Sequence, residues 1–406
     1  MPARDATGIV ESLQATPGHE VWRLSDGWAG RWVLVGRGRL GLDAAGMLGV
    51  LFNPEQRTAG SSPALIPSLG PTYAIRHSNR MNWYPGPGSG RLALRRLLPS
   101  QQLDLSRWTP VPRPLLSPVP ARTYEATLDE LQTVLTRTVQ GMAALGDVMV
   151  PLSAGHDSRL ILGLLWAAGM RPPTFTMDRR PEMSRADQSL PERIARRLGV
   201  PHRWIPRPAA YLHPEAIDLY REQSAGHAIE QDRLYLAHGQ LDHVTDGHVL
   251  LTGGAFEIAR RHYRRLSAHG GLRALGAFAP LPPQARQSLR EYFEWTDAHP
   301  EPIDWRDRFY WEQRIGAWHS AGAQAMDMAP GLRLSPANCR HTLSLLLGIP
   351  EARRIVSGHH VDLVARLAPA LRDLPFNPKD PPWARLAQMP RRVRRWSRRW
   401  KAPSSD

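Results

Sequence analysis

The residue types able to do chemistry in this 406-residue chain concentrate in Val148 to Leu164, VMVPLSAGHDSRLILGL. Val148 to Leu152 is a short valine-rich apolar run, the pattern of a buried parallel strand. Ser153-Ala154-Gly155-His156-Asp157-Ser158 is small and polar, and Arg159 to Ala168 reads as an apolar helix. A strand, a tight loop and a helix together aim backbone N–H groups and a helix N-terminus at one point, and both carry partial positive charge. The chemistry expected there is phosphate binding. An ordinary turn between strand and helix, without a ligand, uses the same small residues. A second candidate is His248 to Glu257, HVLLTGGAFE, where an apolar strand ends in Thr252-Gly253-Gly254.

LSAGHDS resembles the SGGxDS pyrophosphate loop of the ATP-pyrophosphatase superfamily. The flanking residues narrow the resemblance to the asparagine synthetase-like branch, which includes β-lactam synthetase and lasso-peptide cyclases. It implies that ATP adenylates a carboxylate, pyrophosphate leaves, and an amine attacks the acyl-adenylate. Leu152, Ser153, Gly155, Asp157 and Ser158 match the loop, while Ala154 stands where the family has glycine. A Cβ there costs little at negative φ and much at positive φ.

The Thr252–Glu257 segment is similar to the family's SGEGADE segment. Aligned without a gap, Thr252 and Gly253 fall on the nucleotide-contacting pair. Glu257 falls on the aspartate that joins the loop aspartate in holding Mg²⁺. The resemblance thus implies ATP and Mg²⁺ as cofactors, with Asp157 and Glu257 as metal ligands. Gly254 falls on a glutamate that transfers protons, and the sequence shows no replacement base, which an attacking ammonium needs. Pro173 to Met177 reads as the next strand; Met177 is either beside the adenine or an ordinary core methionine. Lys379 is the only lysine before the C-terminal tail and takes the place of the family lysine that steadies the adenylate, with Arg353 or Arg354 as substitutes. Arg260, Arg261, Arg264 and Arg265, set on a helix, would stack at i,i+4 either as an anionic pocket or as a solvated face. His359, His360 and Asp362 fit no zinc spacing and are expected at the surface.

The elements that must position these groups follow from the rest of the chain. Residues 1–118 read as a β-rich, turn-rich domain and linker, with strands at 32–36, 39–43 and 46–52 and a proline-dense linker from Trp108 to Pro120. This region is similar to a degenerate form of the family's glutaminase-like domain. A glutaminase of that class uses an N-terminal cysteine; position 2 is Pro2, so the amine, free ammonia included, is expected to be supplied directly. Residues 119–384 are expected to form an α/β ATP-pyrophosphatase domain, a parallel sheet of the adenine nucleotide α-hydrolase-like kind with extra helices. A helix starts at Thr123, with a capping-box pattern at Thr127–Glu130. Another lies within Asp187–His202, capped by Gly199, with Asp187 as cap or structural residue and His202 in the turn. Residues 306 to 349 read as helices.

Residues 385–406 form a basic tail in which RRVRRWSRRWK carries seven positive charges of a net +15. A solvated tail, an anionic membrane surface and nucleic acid are its three readings. The composition, 42% hydrophobic and 22% charged, is ordinary for a soluble globular protein. A single cysteine, Cys339, excludes an intrachain disulfide. No run approaches a membrane-spanning length and the N-terminus lacks an apolar signal core, so a cytoplasmic location is expected. The expected function is an ATP-dependent amide-forming ligase acting on a small-molecule, peptide or glycan carboxylate. The rivals are a non-catalytic nucleotide-binding or scaffold homologue and an RNA-modifying relative; the glutaminase-like front half argues against nucleic acid as a partner.

Overall fold

The computed structural model describes residues 11, 13–17, 20–66, 83–113, 122–180, 183–206, 243–266, 281–327 and 329–380. Pro2, residues 114–120 of the expected linker and the basic tail lie outside them.

After a short helix α1 (Val21–Ser25), strands β1 (Val33–Gly36) and β2 (Arg39–Leu42) form a hairpin. Arg37 and Gly38 both have positive φ, the two-residue turn whose twist suits antiparallel strands. With β3 (Leu51–Asn53), β4 (Thr58–Gly60), β5 (Arg95–Arg96), β6 (Gln101–Asp104) and β7 (Thr109–Pro112), this region builds two antiparallel sheets, ordered β1-β2-β6-β7 and β4-β3-β5. Leu40, Leu42, Val50, Phe52, Leu97 and Leu103 bury a shared core. Two expectations are corrected. Part of the proline-dense linker is strand β7, an edge position that tolerates proline. The strand expected at 46–52 begins only at Leu51, because Asp43 gathers the preceding residues into a turn.

Asp43 is fully buried. Its carboxylate accepts the N–H groups of Ala45 (3.2 Å), Met47 (2.9 Å) and Leu48 (3.0 Å), and Asn338 Nδ2 (3.0 Å). Burial raises its carboxyl above the ordinary carboxylate range, and these hydrogen bonds oppose the rise. Asn338 also donates to Gly30 O (2.6 Å) and accepts Ala45 N–H (2.9 Å), so one amide ties the first region to the C-terminal half.

The second half alternates strand and helix: α2 (Tyr124–Ala143), β8 (Asp147–Pro151), α3 (His156–Ala167), β9 (Thr174–Met177), α4 (Arg185–Leu198), β10 (His202–Ile205) and β11 (His248–Leu251). There follow a 3₁₀ turn (Phe256–Arg260), α5 (Pro283–Ala298), α6 (Trp305–Phe309), a π-helix (Tyr310–His319) and α7 (Ser320–Met326). The described chain ends with β12 (Leu332–Leu334), α8 (Arg340–Gly348), α9 (Glu351–Ile355), α10 (Gly358–Leu367) and a 3₁₀ turn (Pro369–Leu371). The five strands are parallel and ordered β10-β9-β8-β11-β12. From β8 the chain winds outward through β9 and β10, while β11 and β12 build the other side. The switch point, where ligands lodge in open α/β sheets, is therefore between the C-terminal ends of β8 and β11.

Helix α2 is capped by the Thr123 hydroxyl, which accepts Ala126 N–H (3.2 Å), so Thr127 lies inside the helix rather than capping it. Gly199 ends α4 at φ 65°, as its position promised. His202 belongs to β10 rather than to a turn. The stretch read as all helix contains β12 and the π-helix; three residues of strand leave too short a period to detect.

Replacing Asp43 by alanine strands several buried N–H groups and should lower the unfolding free energy by about 3 kcal/mol or more, measured by urea denaturation. A loss below about 1 kcal/mol would show that water or other acceptors satisfy the turn.

Candidate functional site

The loop after β8 is fixed from both sides. Leu152 is buried; its N–H donates to Phe175 O (2.8 Å) and its carbonyl accepts Thr176 Oγ1 (2.7 Å), locking the loop base to β9. The Ser153 and Ser158 hydroxyls lie 3.0 Å apart, Ser158 Oγ accepts Ser153 N–H (3.2 Å), and Gly155 N–H donates to Ser153 Oγ (3.1 Å). Gly155 is the extended N-cap of α3. Ala154 is not among the residues with positive φ, so its Cβ carries no left-handed strain. Asp187, read as a cap or structural residue, has a further part here. Its carboxylate accepts Ala154 N–H (2.9 Å) and the Ser184 hydroxyl (2.8 Å), joining the loop to the start of α4.

A C-terminal segment lies along the same loop. Arg159, fully buried, donates to Leu374 O (2.9 Å), Pro375 O (3.0 Å) and Ala154 O (3.2 Å), with its guanidinium 4.0 Å from the Phe376 ring centroid. His156 stacks on Phe376, and Asn377 N–H donates to Ala154 O (3.1 Å). Lys379 is exposed two residues beyond Asn377.

Across the switch point, Thr252 N–H donates to Leu334 O (2.8 Å), which holds the end of β11 against β12. Gly253 lies against Asp157: a Cβ there would come within 3.0 Å of the Asp157 Cβ, closer than real Cβ atoms approach. Glycine is required at this contact. At Gly254 an added Cβ would press on His319 Nε2 and Met47 Cε. The space an acid would need is already filled, and an imidazole nitrogen fills it.

The 3₁₀ turn Phe256–Arg260 follows, entered by Ala255 (φ 69°) and left by Arg261 (φ 54°), both left-handed. Such conformations persist only where neighbours enforce them. Arg354 does so here: it donates to Ala259 O (3.0 Å), Ile258 O (3.1 Å) and the Asp307 carboxylate (2.9 Å). Arg261 joins Asp307 (3.0 Å), Asp304 (3.3 Å) and Glu351 (3.3 Å). The arginines expected to stack along a helix are therefore separated, since residues 260–265 form a turn. Arg261 is buried among acids, while Arg264 and Arg265 are exposed.

Arg260 Nη2 is ion-paired with Asp157 Oδ1, and both side chains are 18% exposed. His360 Nε2 lies 3.0 Å from the same oxygen. His359 and His360, expected at the surface, are both fully buried, and Asp362 is half-buried, accepting the Tyr124 hydroxyl (2.6 Å). The correction has a visible signal: His360, Leu363, Val364 and Leu367 recur at i, i+3, i+4 and i+7, the buried stripe of α10. Burial holds His360 below the ordinary imidazole range, and the neighbouring Asp157 carboxylate opposes that shift. Burial pushes the Asp157 carboxyl up, but the neighbouring His360 and the charge of Arg260 outweigh it and hold the group below the ordinary carboxylate range.

Of the residues singled out from the sequence, Leu152, Ser153, Gly155, Asp157, Ser158 and Gly253 meet at the switch point, and Thr252 adjoins them. Met177 is half-buried at the end of β9, against the cluster of Phe175 and Ile205. Glu257 is half-buried on the 3₁₀ turn; its charge adds to burial in raising the Tyr310 hydroxyl. The groups on Asp157 are Arg260, expected either in an anionic pocket or on a solvated face, and His360, expected at the surface. Among the described residues, no group of three or more His, Cys, Asp or Glu side chains is arranged to hold a metal ion. The guanidinium of Arg260 occupies one oxygen of the carboxylate expected to hold Mg²⁺ and sets a positive charge beside it.

No family model matches the chain, and no curated protein matches it. Among solved structures it is similar to NMN synthetase from Francisella tularensis, at 12% identity, with 58% of this chain and 97% of that one covered and a TM-score of 0.24. A likeness at that level carries no argument about activity.

The buried histidines make stability fall with acid. Burial pushes His359 down to about 2 and His156 to about 4, whereas unfolded imidazoles titrate near 6.5. As pH falls below 6.5 the unfolded chain binds protons that the folded chain refuses. A fully buried group such as His359 then contributes a slope of about 1.4 kcal/mol per pH unit. His359→Leu should flatten the loss of urea-unfolding free energy between neutral pH and about pH 5. Parallel slopes in the two proteins would contradict this.

Proposed function

We propose that this chain is an adenylate-forming enzyme of the ATP-pyrophosphatase kind, and more finely an asparagine synthase-related ligase that makes an amide from a carboxylate and an amine. One observation supports this above the others. The serine-lined loop after β8 and the glycine turn after β11 converge at the sheet's switch point, closely enough that Gly253 admits no side chain. In this reading Ser153, Gly155 and Ser158, with the first turn of α3, receive the pyrophosphate portion of ATP. Thr252 and Gly253 position the nucleotide, and Met177, at the end of the neighbouring strand, faces the adenine. Lys379, on the segment that Asn377 fastens to the loop, steadies the charge that grows at the α-phosphate.

A substrate carboxylate oxygen bonds to the α-phosphorus and pyrophosphate departs. An amine nitrogen then bonds to the acyl carbon, AMP departs, and the nitrogen loses a proton. We assign that proton to His319, whose Nε2 takes up the space beside Gly254. The first region, residues 1–118, serves as a scaffold, and the amine is supplied directly. The carboxylate belongs to a small molecule, a peptide or a glycan.

The pairing of Asp157 with Arg260 favours a second reading, a nucleotide-binding homologue that has lost catalysis. Pyrophosphate release separates the two. With ATP and a cell extract as carboxylate source, the enzyme should form pyrophosphate, and Ser158→Ala should slow it by about 100-fold. His319→Ala should keep pyrophosphate formation while amide product falls. ATP binding without any pyrophosphate would remove the catalytic reading and leave the second.

A further inference from the structure

We infer that this site grips a nucleotide's polyphosphate with Arg260 as its built-in cation, and needs no divalent metal at Asp157 to do so. The inference rests on reading the switch point as a nucleotide site. It goes further in saying what neutralises the phosphates.

Three features of the structure lead to it. First, Asp157 already carries a full positive partner in Arg260, with His360 Nε2 3.0 Å from the same oxygen. A metal ion would have to bind the same carboxylate beside that guanidinium, against the repulsion of a like charge. Second, Arg260 has capacity left over: its ion pair with Asp157 uses one terminal nitrogen, Nη2, and its side chain is 18% exposed. A guanidinium presents five N–H donors in a planar fork that matches phosphate oxygens, so one carboxylate contact leaves donors for a second anion. Third, the guanidinium is carried on an anchored element. Arg354 donates to the carbonyls of the two preceding residues, and Arg261 is held by Asp304 and Asp307. The backbone therefore delivers Arg260 to the loop with little freedom to swing away.

The Asp157–Arg260 pair then acts as a unit. The carboxylate, in the first turn of α3, orients the fork, and the donors it leaves unused are the ones assigned to an incoming anion. A nucleoside triphosphate, or pyrophosphate itself, is the chemical class that fits.

Isothermal titration of the full chain with ATP, once with Mg²⁺ and once with EDTA, tests this. The two dissociation constants should agree within about threefold. Arg260→Ala should weaken metal-free binding by at least about tenfold. It should also recover affinity when Mg²⁺ is added, because Asp157 is then free to hold it. If the unaltered chain requires Mg²⁺ for binding by more than about tenfold, the inference is wrong while the nucleotide site stands. If Arg260→Ala binds metal-free ATP as well as the unaltered chain, Arg260 is not the cation. If ATP binds under neither condition, the nucleotide reading falls too. Should Arg260→Ala fail to fold, the comparison of the unaltered chain with and without metal still decides.

Discussion

A carboxylate withdrawn from water must be met by charge or by hydrogen-bond donors, and Asp157 imposes that demand on its surroundings. It stands in the first turn of α3, where the helix dipole favours an anion but does not neutralise it. Arg260 arrives from the turn after β11 and His360 from the buried face of α10. Gly253 must lack a side chain for these elements to close on one another. Four separate parts of the chain thus meet around one aspartate, at the point where the parallel sheet changes its direction of winding.

The surrounding architecture holds those parts in register. Buried Asp307 lies between Arg261 and Arg354, and through them it fixes the turn that bears Arg260. The antiparallel sheets of the first region contribute as well. Asp43 and Asn338 lock a turn whose Met47 touches Gly254, and the Trp311 ring nitrogen donates to Ala44 O (2.8 Å). The first region therefore helps to shape the wall of the candidate site. Its packing also brings His319, at the end of the π-helix, against the glycine turn.

What could be read from the sequence divides along physical lines. The stretch from 148 to 164 was legible because strand, small-residue loop and apolar helix leave distinct local patterns. The C-cap at Gly199 and the hairpin at residues 36–39 were legible for the same reason. Arg260 was not, because its partner is 103 residues away in sequence and the local run of arginines imitates a helix face. The histidines of α10 were misplaced because two adjacent polar residues suggest a surface. The apolar spacing that follows His360 pointed the other way. Strand β12 and the π-helix depend on tertiary pairing and left no period to find. The role of Asp187 as a partner of Ala154 N–H likewise belongs to the folded loop alone.

The account turns on where a triphosphate lies. A crystal structure grown with a non-hydrolysable ATP analogue would show this directly. The account predicts the phosphates between the Ser153–Ser158 loop and the Thr252–Gly253 turn, with Arg260 contacting them. An analogue bound elsewhere, with the Asp157–Arg260 pair closed and protein atoms filling the switch point, would contradict it.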